Sequence, residues 1–183
     1  MVKRLAIAAF VVFMGAANLS AAEFYIGAGF AGEIDSGSFR DDLERFTDVD
    51  SDSWKLLAGA RLGDHLALEV ARYDLGTQTC CRGVADLGFT STVDGFSAAA
   101  LGRWQVGRFA PFARVGVLSW SEDGEFITLI GPSPRSAAGE DLLLGAGVDV
   151  DLPAGFGIRA EWERYEFDST SSDSFWASLL FRF

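Results

Sequence analysis

Apolar residues alternate with charged or small residues along most of the chain after residue 22. A strand points successive side chains to opposite faces, so this alternation predicts strands with one apolar face and one polar face. The segment 157–167 shows the pattern most clearly, with an apolar row of Ile158, Ala160 and Trp162 and a charged row of Arg159, Glu161 and Glu163. The same pattern predicts eight strands, at 23–32, 52–63, 65–76, 90–105, 108–121, 139–152, 155–168 and 173–183.

The connections between these segments alternate in length. Tight turns are predicted at 63–64, 106–107 and 153–154, and polar connections at 33–51, 77–89, 122–138 and, shorter, 169–172. Most of the predicted strands reach the ~9–11 residues that a tilted strand needs to cross a bilayer. Short turns at one end and long loops at the other are typical of outer-membrane barrels, whereas soluble sandwiches usually have Greek-key connections. The pattern predicts an all-β protein, a single eight-stranded antiparallel up-and-down transmembrane β-barrel.

The start of the chain does not share this alternation. It has a basic beginning, an apolar run and a small-residue end in which Ser20 and Ala22 fit the −3 and −1 positions of a cleavage site. The apolar run is too short for a transmembrane helix. We therefore predict a secretory signal peptide at 1–22 and an outer-membrane barrel domain at 23–183.

Acidic residues outnumber basic ones. The chain has 26 acidic and 15 basic residues and a formal net charge of −11, which becomes −13 without the two basic residues of the signal peptide. This excess of negative charge repels phosphates, so nucleic acid is excluded as a partner. Lys55 is the only lysine outside the signal peptide.

No pattern for catalysis or metal binding accompanies the strands. Cys80 and Cys81 are adjacent and lack a ligand cluster, so we expect a turn pair, free or oxidised, or a link to another chain, and no metal site. The segment 48–59 resembles a calcium loop but has Ser53 where that loop needs glycine. The single histidine lies in a predicted tight turn, and no Gly-x-Ser-x-Gly motif occurs. We predict no enzyme activity and no cofactor.

Four short motifs mark the predicted strands: FYIGAGF at 24–30, LEVARYDLG at 68–76, FARVGV at 112–117 and the terminal LFRF at 180–183. In this order they resemble the transmembrane domain of the OmpA-type small outer-membrane barrels. The resemblance implies a cell outer membrane location, with the loops outside and both termini in the periplasm. It also implies that Phe181 and Phe183 form a C-terminal signal for the barrel assembly machinery. We expect no peptidoglycan-binding domain after the barrel.

Charged residues occupy the rows that should face the barrel interior. The alternation assigns to this interior Lys55, Arg61, Glu69, Arg114, Asp149, Arg159, Glu161 and Glu163. The resemblance assigns Glu69, Arg114, Asp149, Arg159 and Glu161 to the ion network of the family, whose inward lysine on the fourth strand falls here on Ala100. Inward side chains just fill an eight-stranded barrel, and buried charges need partners. A closed paired core and a gated ion path both stay open, and the fourth strand does not show which row faces outward.

Two arginines fall on the outward rows, Arg72 on the third strand and Arg164 on the seventh. At the bilayer midplane each would cost ~2–4 kcal/mol, decreasing toward zero at the interface. We therefore expect both near the outer headgroups. There they would contact lipid phosphates or extend their charged ends into water.

The long connections are the candidate partner surfaces. Loop 33–51 is acidic, with Phe39, Leu43 and Phe46 at helical spacing, so we expect a short surface helix. Loop 122–138 contains apolar residues, which favour either an extended hairpin or a partner contact. We predict a monomeric barrel with a structural or surface-interaction role and an extracellular partner at these two loops. The alternatives are a narrow or gated pore and a soluble lipocalin-like ligand-binding barrel.

Overall fold

The computed structural model describes residues 22–36, 47–48, 53–84, 87–128, 131–167 and 170–183. Within these ranges the chain forms eight long strands. They are β1 (Ala22–Ser36), β2 (Trp54–Leu62), β3 (Leu66–Val84), β4 (Leu87–Arg103), β5 (Phe109–Thr128), β6 (Gly131–Asp151), β7 (Phe156–Phe167) and β8 (Thr170–Arg182). The two residues Thr47–Asp48 add a short antiparallel ladder beside β3. In this part of the chain, no helix is both long enough and apolar enough to cross a membrane.

The strands form one closed antiparallel sheet. Each strand pairs with the next along the chain, and β8 pairs with β1, from Tyr25↔Arg182 to Ser36↔Ser172. Closure pairs the backbone groups of every strand within the wall, which a bilayer requires because its hydrocarbon offers no hydrogen-bond partners. The predicted eight-stranded up-and-down barrel is confirmed.

The two ends of the barrel differ in their connections. Short turns join the strands at 63–65, 104–108 and 152–155. Gly63 and Gly107 have positive φ angles of 75° and 64°, which glycine adopts without steric strain. Short turns mark the periplasmic end of an outer-membrane barrel, so the opposite end is extracellular.

The outer surface of the barrel is apolar. On β8 the outward residues Phe175 and Leu179 are 64% and 56% exposed, while their neighbours Trp176 and Leu180 are buried. Phe181 and Phe183 also point outward, at the periplasmic end. Phe181 packs 5.3 Å from Phe156 between ring centroids, and Phe183 lies 6.5 Å from Phe24. These rings form an interfacial aromatic girdle, and the assembly-signal role of Phe181 and Phe183 stays a prediction.

Two of the predicted long loops are wrong. The segments 77–89 and 122–138 are not long connections, because β3 continues to Val84, β4 begins at Leu87, β5 continues to Thr128 and β6 begins at Gly131. The β3–β4 hairpin also pairs with the β5–β6 hairpin, through β4 and β5, up to Gly88↔Ile127. The backbone groups of these segments are therefore hydrogen-bonded within one sheet. Above the membrane both faces of a sheet can meet water, so the apolar alternation fades although the strands continue.

Other expectations at this end lie partly beyond the described residues. The predicted surface helix of loop 33–51, with Phe39, Leu43 and Phe46, is outside them, whereas residues 33–36 belong to β1. Cys80 and Cys81 belong to the backbone of β3, but their side chains lie outside the described part.

The orientation of β4 is resolved by burial. Ala99, Leu101 and Arg103 are 3%, 1% and 5% exposed and face the interior. Ala100 therefore belongs to the outward row. The position that the resemblance paired with an inward lysine faces lipid in this chain, so the correspondence at Ala100 is wrong. Because alanines occur on both faces of β4, the two faces do not differ in size or polarity there. The sequence therefore did not show which residues of β4 face lipid and which face the interior.

Candidate functional site

The structure brings the eight charged residues predicted for the interior into one buried network. All eight are 8% exposed or less; they are Lys55, Arg61, Glu69, Arg114, Asp149, Arg159, Glu161 and Glu163. Strands β2, β3, β5, β6 and β7 each direct alternate side chains inward and so supply the network from five positions around the wall.

The upper half of the network is organised around Lys55 and Arg114. Lys55 Nζ bonds to Glu161 and lies 3.0 Å from Glu163 Oε1. Arg114 pairs with Glu69 Oε1 at 2.7 Å, with Glu161 Oε2 at 2.9 Å and with Glu163. Two cations are thus shared among three carboxylates, one from β3 and two from β7.

The lower half is organised around Arg159. Its Nε lies 2.6 Å from Asp149 Oδ1, and its Nη1 lies 2.6 Å from Glu69 Oε2. Because Glu69 accepts from both Arg114 and Arg159, it joins the two halves. Arg61 lies 3.8 Å from Asp149 Oδ2 and continues the network toward the periplasmic end.

Aromatic side chains that were not predicted from the sequence complete the network. The hydroxyl groups of Tyr73 and Tyr165 donate to Glu163 at 3.2 Å and 2.6 Å, and Tyr25 donates to Glu69 at 2.9 Å. Tyr73 and Tyr165 occupy inward positions of β3 and β7, whose inward charges had been identified, whereas Tyr25 lies on β1, which has no predicted inward charge. The alternation of inward and outward positions could therefore have identified Tyr73 and Tyr165, since a buried tyrosine needs a partner for its hydroxyl.

The periplasmic mouth adds further pairs that were also not predicted from the sequence. Arg182 lies 2.7 Å from Asp151 Oδ1, and Arg61 lies 2.8 Å from Glu23 Oε2. Arg103 donates to Gln105 at 3.2 Å. The alternation could have placed Asp151 and Arg182 in the inward row. Asp151 follows the inward Asp149 by two positions, and Arg182 lies between the outward Phe181 and Phe183.

The charged groups of the interior neutralise one another. An uncompensated buried charge costs several kcal/mol, and every charged group of the central network has a partner of opposite charge. Among the described residues, no group of three or more His, Cys, Asp or Glu side chains is placed to hold a metal ion.

The outward arginines each have a carboxylate partner that the sequence did not predict. Arg72 Nη2 lies 2.9 Å from Asp94 Oδ1, and its guanidinium lies 4.8 Å from the Phe96 ring centre. Arg164 donates through Nε and Nη2 to the two oxygens of Asp173, both at 2.8 Å. These pairings lower the cost of cations on an outward face, and the predicted lipid contacts stay a prediction.

Lys55 offers a direct test of the packing. Its side chain is fully buried, and it is the only lysine outside the predicted signal peptide. We expect an amine-reactive ester to leave Lys55 unmodified in the folded barrel and to modify it after denaturation, as measured by peptide mass spectrometry. The α-amino group in the same sample serves as the reactive control. Equal modification of Lys55 in both states would contradict the closed interior.

A closed eight-stranded barrel with an apolar exterior and a paired polar interior defines a small integral barrel of the bacterial outer membrane. The chain belongs to the outer membrane protein beta-barrel domain family, whose model matches residues 6–183. The protein is therefore located in the outer membrane, and the alternative of a soluble lipocalin-like barrel is not supported. No curated protein matches the chain by sequence.

Solved structures of small outer-membrane barrels share the fold. The attachment invasion locus protein Ail of Yersinia pestis matches with a TM-score of 0.59 and 13% identity, over 88% of this chain and 97% of that chain. Neisserial surface protein A matches with a TM-score of 0.57 and 13% identity, over 90% and 98%. The N-terminal barrel domain of Pseudomonas aeruginosa OprF gives 0.53 and 13%, over 88% and 97%. The resemblance to OmpA-type barrels is thus confirmed at the level of the fold.

Proposed function

We propose that the protein is a non-catalytic outer-membrane barrel that binds an extracellular partner through a sheet extending beyond the membrane, while its ion network closes the lumen. The observation that carries this proposal is the length of β3, β4, β5 and β6. Strand β5 has 20 residues and β6 has 21, about twice the ~9–11 that a membrane crossing needs.

The extension is a four-stranded sheet with one open side. Strands β5 and β6 stay paired up to Thr128↔Gly131. Strand β7 pairs with β6 only from Leu142↔Glu166 toward the periplasm. No strand in the described ranges therefore pairs with the outer side of β6 over 131–141. Such an edge supports binding of an extended partner segment through main-chain hydrogen bonds.

Proline limits how much of this edge is usable. Pro132 and Pro134 lack the backbone N–H that a ladder needs, so they block augmentation at the tip. The stretch 136–141 contains no proline and is the segment that supports strand addition. Proline near the tip is also a common protection against uncontrolled edge-to-edge aggregation.

The charge of the extension favours a basic partner. Acidic residues dominate the described part of the β5–β6 hairpin; they are Glu122, Asp123, Glu125, Glu140 and Asp141. Ail of Yersinia pestis was crystallised with the heparin analogue sucrose octasulfate, which is a polyanion. The acidic hairpin here would repel such a ligand and attract a cationic surface.

The filled interior supports a closed lumen, and a narrow or gated pore is the alternative. Lys55, Glu163 and Tyr73 have no exposed surface. Their contacts join β2, β3 and β7 across the lumen. Inward side chains fill a barrel of this size without leaving a channel.

The surface role is tested by removing the extension while keeping the barrel. Residues 119–140 are replaced by Asn-Gly, which joins the paired residues Leu118 and Asp141 through a two-residue hairpin turn. We expect normal heat-modifiable gel mobility but loss of attachment of bacteria displaying the protein to surfaces coated with basic protein. The control is Arg108→Ala in the periplasmic turn. Attachment that survives removal of the hairpin would contradict the proposal.

A further inference from the structure

The lipid-facing wall contains a recess between β1, β6, β7 and β8. Its volume is about 630 Å³. Its floor consists of Ala146, Ala160 and Ala177, and its rim carries three large aromatic residues. The rim residues are Phe30, Trp162 and Phe175.

The recess exists because small outward residues are neighbours across the ladders. Ala160 pairs with Ala177, and Phe30 pairs with Ala177 on the other side. Trp162 pairs with the floor residue Ala146 on one side and with the rim residue Phe175 on the other. An alanine floor below aromatic rings leaves a volume that a flexible apolar chain fills better than the neighbouring side chains do.

A cation stands at the extracellular end of this recess. Arg164 follows Trp162 by two positions on β7 and lies 5.6 Å from its ring centre. Asp173, its partner, precedes Phe175 by two positions on β8. Arg164 lies eight residues from Phe156 at the periplasmic end. At ~3.3 Å per residue and a tilt of ~40°, this is a height of about 20 Å, near the top of the ~25 Å apolar band.

The pairing of Arg164 leaves donors for a second anion. Nε and Nη2 donate to the carboxylate of Asp173. Nη1 makes no hydrogen bond to any described residue. A guanidinium fixed by a carboxylate on one side offers its remaining N–H groups in a fixed direction, and arginine binds phosphate in that geometry.

We propose that this recess binds one acyl chain of lipid A, the phosphorylated lipid of the outer leaflet, and that Arg164 binds its phosphate. The acyl chain lies on the alanine floor between the aromatic rings. The phosphate then sits at the headgroup level, where the arginine is. The site is separate from the extracellular sheet, so it does not depend on the proposed surface role.

The chain contains a matched comparison in Arg72. This arginine also points outward, pairs with a carboxylate, Asp94, and lies over an aromatic ring, Phe96. Its outward neighbours are larger: Leu56 is directly across the ladder and Val70 is two positions below. Alanines flank this row too, since Val70 pairs with Ala58 and Ala98. The row itself, however, has Leu68 four positions below the arginine, where the row of Arg164 has Ala160. Arg72 therefore has the charge without the alanine at the centre of the floor, and it should not retain lipid A specifically.

Native mass spectrometry of the refolded protein, titrated with lipid A in detergent, tests the site. We expect Arg164→Ala to weaken lipid A binding about tenfold, because a hydrogen bond to a charged group is removed. Ala160→Leu should weaken it comparably by filling the floor, and Arg72→Ala should leave it unchanged. Dephosphorylated lipid A should bind the wild type as weakly as lipid A binds Arg164→Ala. Each variant must retain heat-modifiable mobility, which shows that its barrel is folded.

Three results would overturn the proposal. Unchanged lipid A binding by both Arg164→Ala and Ala160→Leu would show that the recess holds no lipid. Equal losses in Arg164→Ala and Arg72→Ala would show non-specific contact with surrounding lipid. Efficient disulfide formation between copies of Ala177→Cys in vesicles would assign the recess to a second copy of the chain.

Discussion

Replacement of Arg114 by alanine is expected to destabilise the barrel by about 3–5 kcal/mol, because it leaves buried carboxylates without their partner. Arg114 contacts Glu69, Glu161 and Glu163, and its side chain has no exposed surface. Lys55, Arg61 and Arg159 would be left to balance these three acids together with Asp149. The free energy of unfolding is measured by urea titration in lipid vesicles, with heat-modifiable mobility as the readout.

The control for Arg114→Ala is Arg108→Ala, which removes the same charge from an exposed periplasmic turn. A surface change of this kind should alter the free energy of unfolding by no more than about 0.5 kcal/mol. Equal midpoints for the two variants would contradict the view that the interior pairs stabilise the fold.

The second large effect is expected from Gly59→Val on β2. A Cβ at Gly59 would lie 2.3 Å from the ring of Tyr25, which packs over this glycine. The ring must move, and Tyr25 then loses its 2.9 Å hydrogen bond to Glu69. Overpacking costs about 1–3 kcal/mol, and the lost bond at a buried carboxylate adds a comparable amount.

Gly102→Val on β4 is the matched control for Gly59→Val. A Cβ at Gly102 comes no closer than 3.9 Å to its nearest neighbour, Trp104. The two variants add the same side chain to the same barrel wall, and urea titration compares their unfolding midpoints. A loss at Gly102 as large as that at Gly59 would show that valine itself, and not the interior packing, causes the effect.

The sequence predicted the fold well because the bilayer imposes a pattern that can be read along a single strand. Within the membrane band each position faces either lipid or the barrel interior. The apolar side chain of Ile158 therefore indicates a lipid-facing position, and the charged side chain of Arg159 indicates an inward one. The prediction was wrong at 122–138, where both faces can meet water, and undecided on β4, where Ala98 and Ala100 are as small as the inward Ala99.

The alternation of side chains along each strand identified the inward charged residues, but it did not predict which of them pair with one another. The contact of Arg159 with Glu69 joins β7 to β3, which are not neighbours in the sheet. Such pairs depend on the tilt and stagger of the closed barrel, which no single strand reveals. The partners of Arg72 and Arg164 were missed for a related reason, because Asp94 and Asp173 lie on adjacent strands at offsets that only the ladder register defines.

Single-channel recording in planar bilayers tests most directly whether the paired charges close the lumen, as we propose. Refolded wild-type protein and Arg159→Ala are recorded side by side across a wide range of salt concentrations. We predict no stepwise conductance for either protein, with Arg159→Ala differing mainly in its lower stability. Reproducible conductance steps of the wild type would contradict a closed lumen and would establish the barrel as a pore.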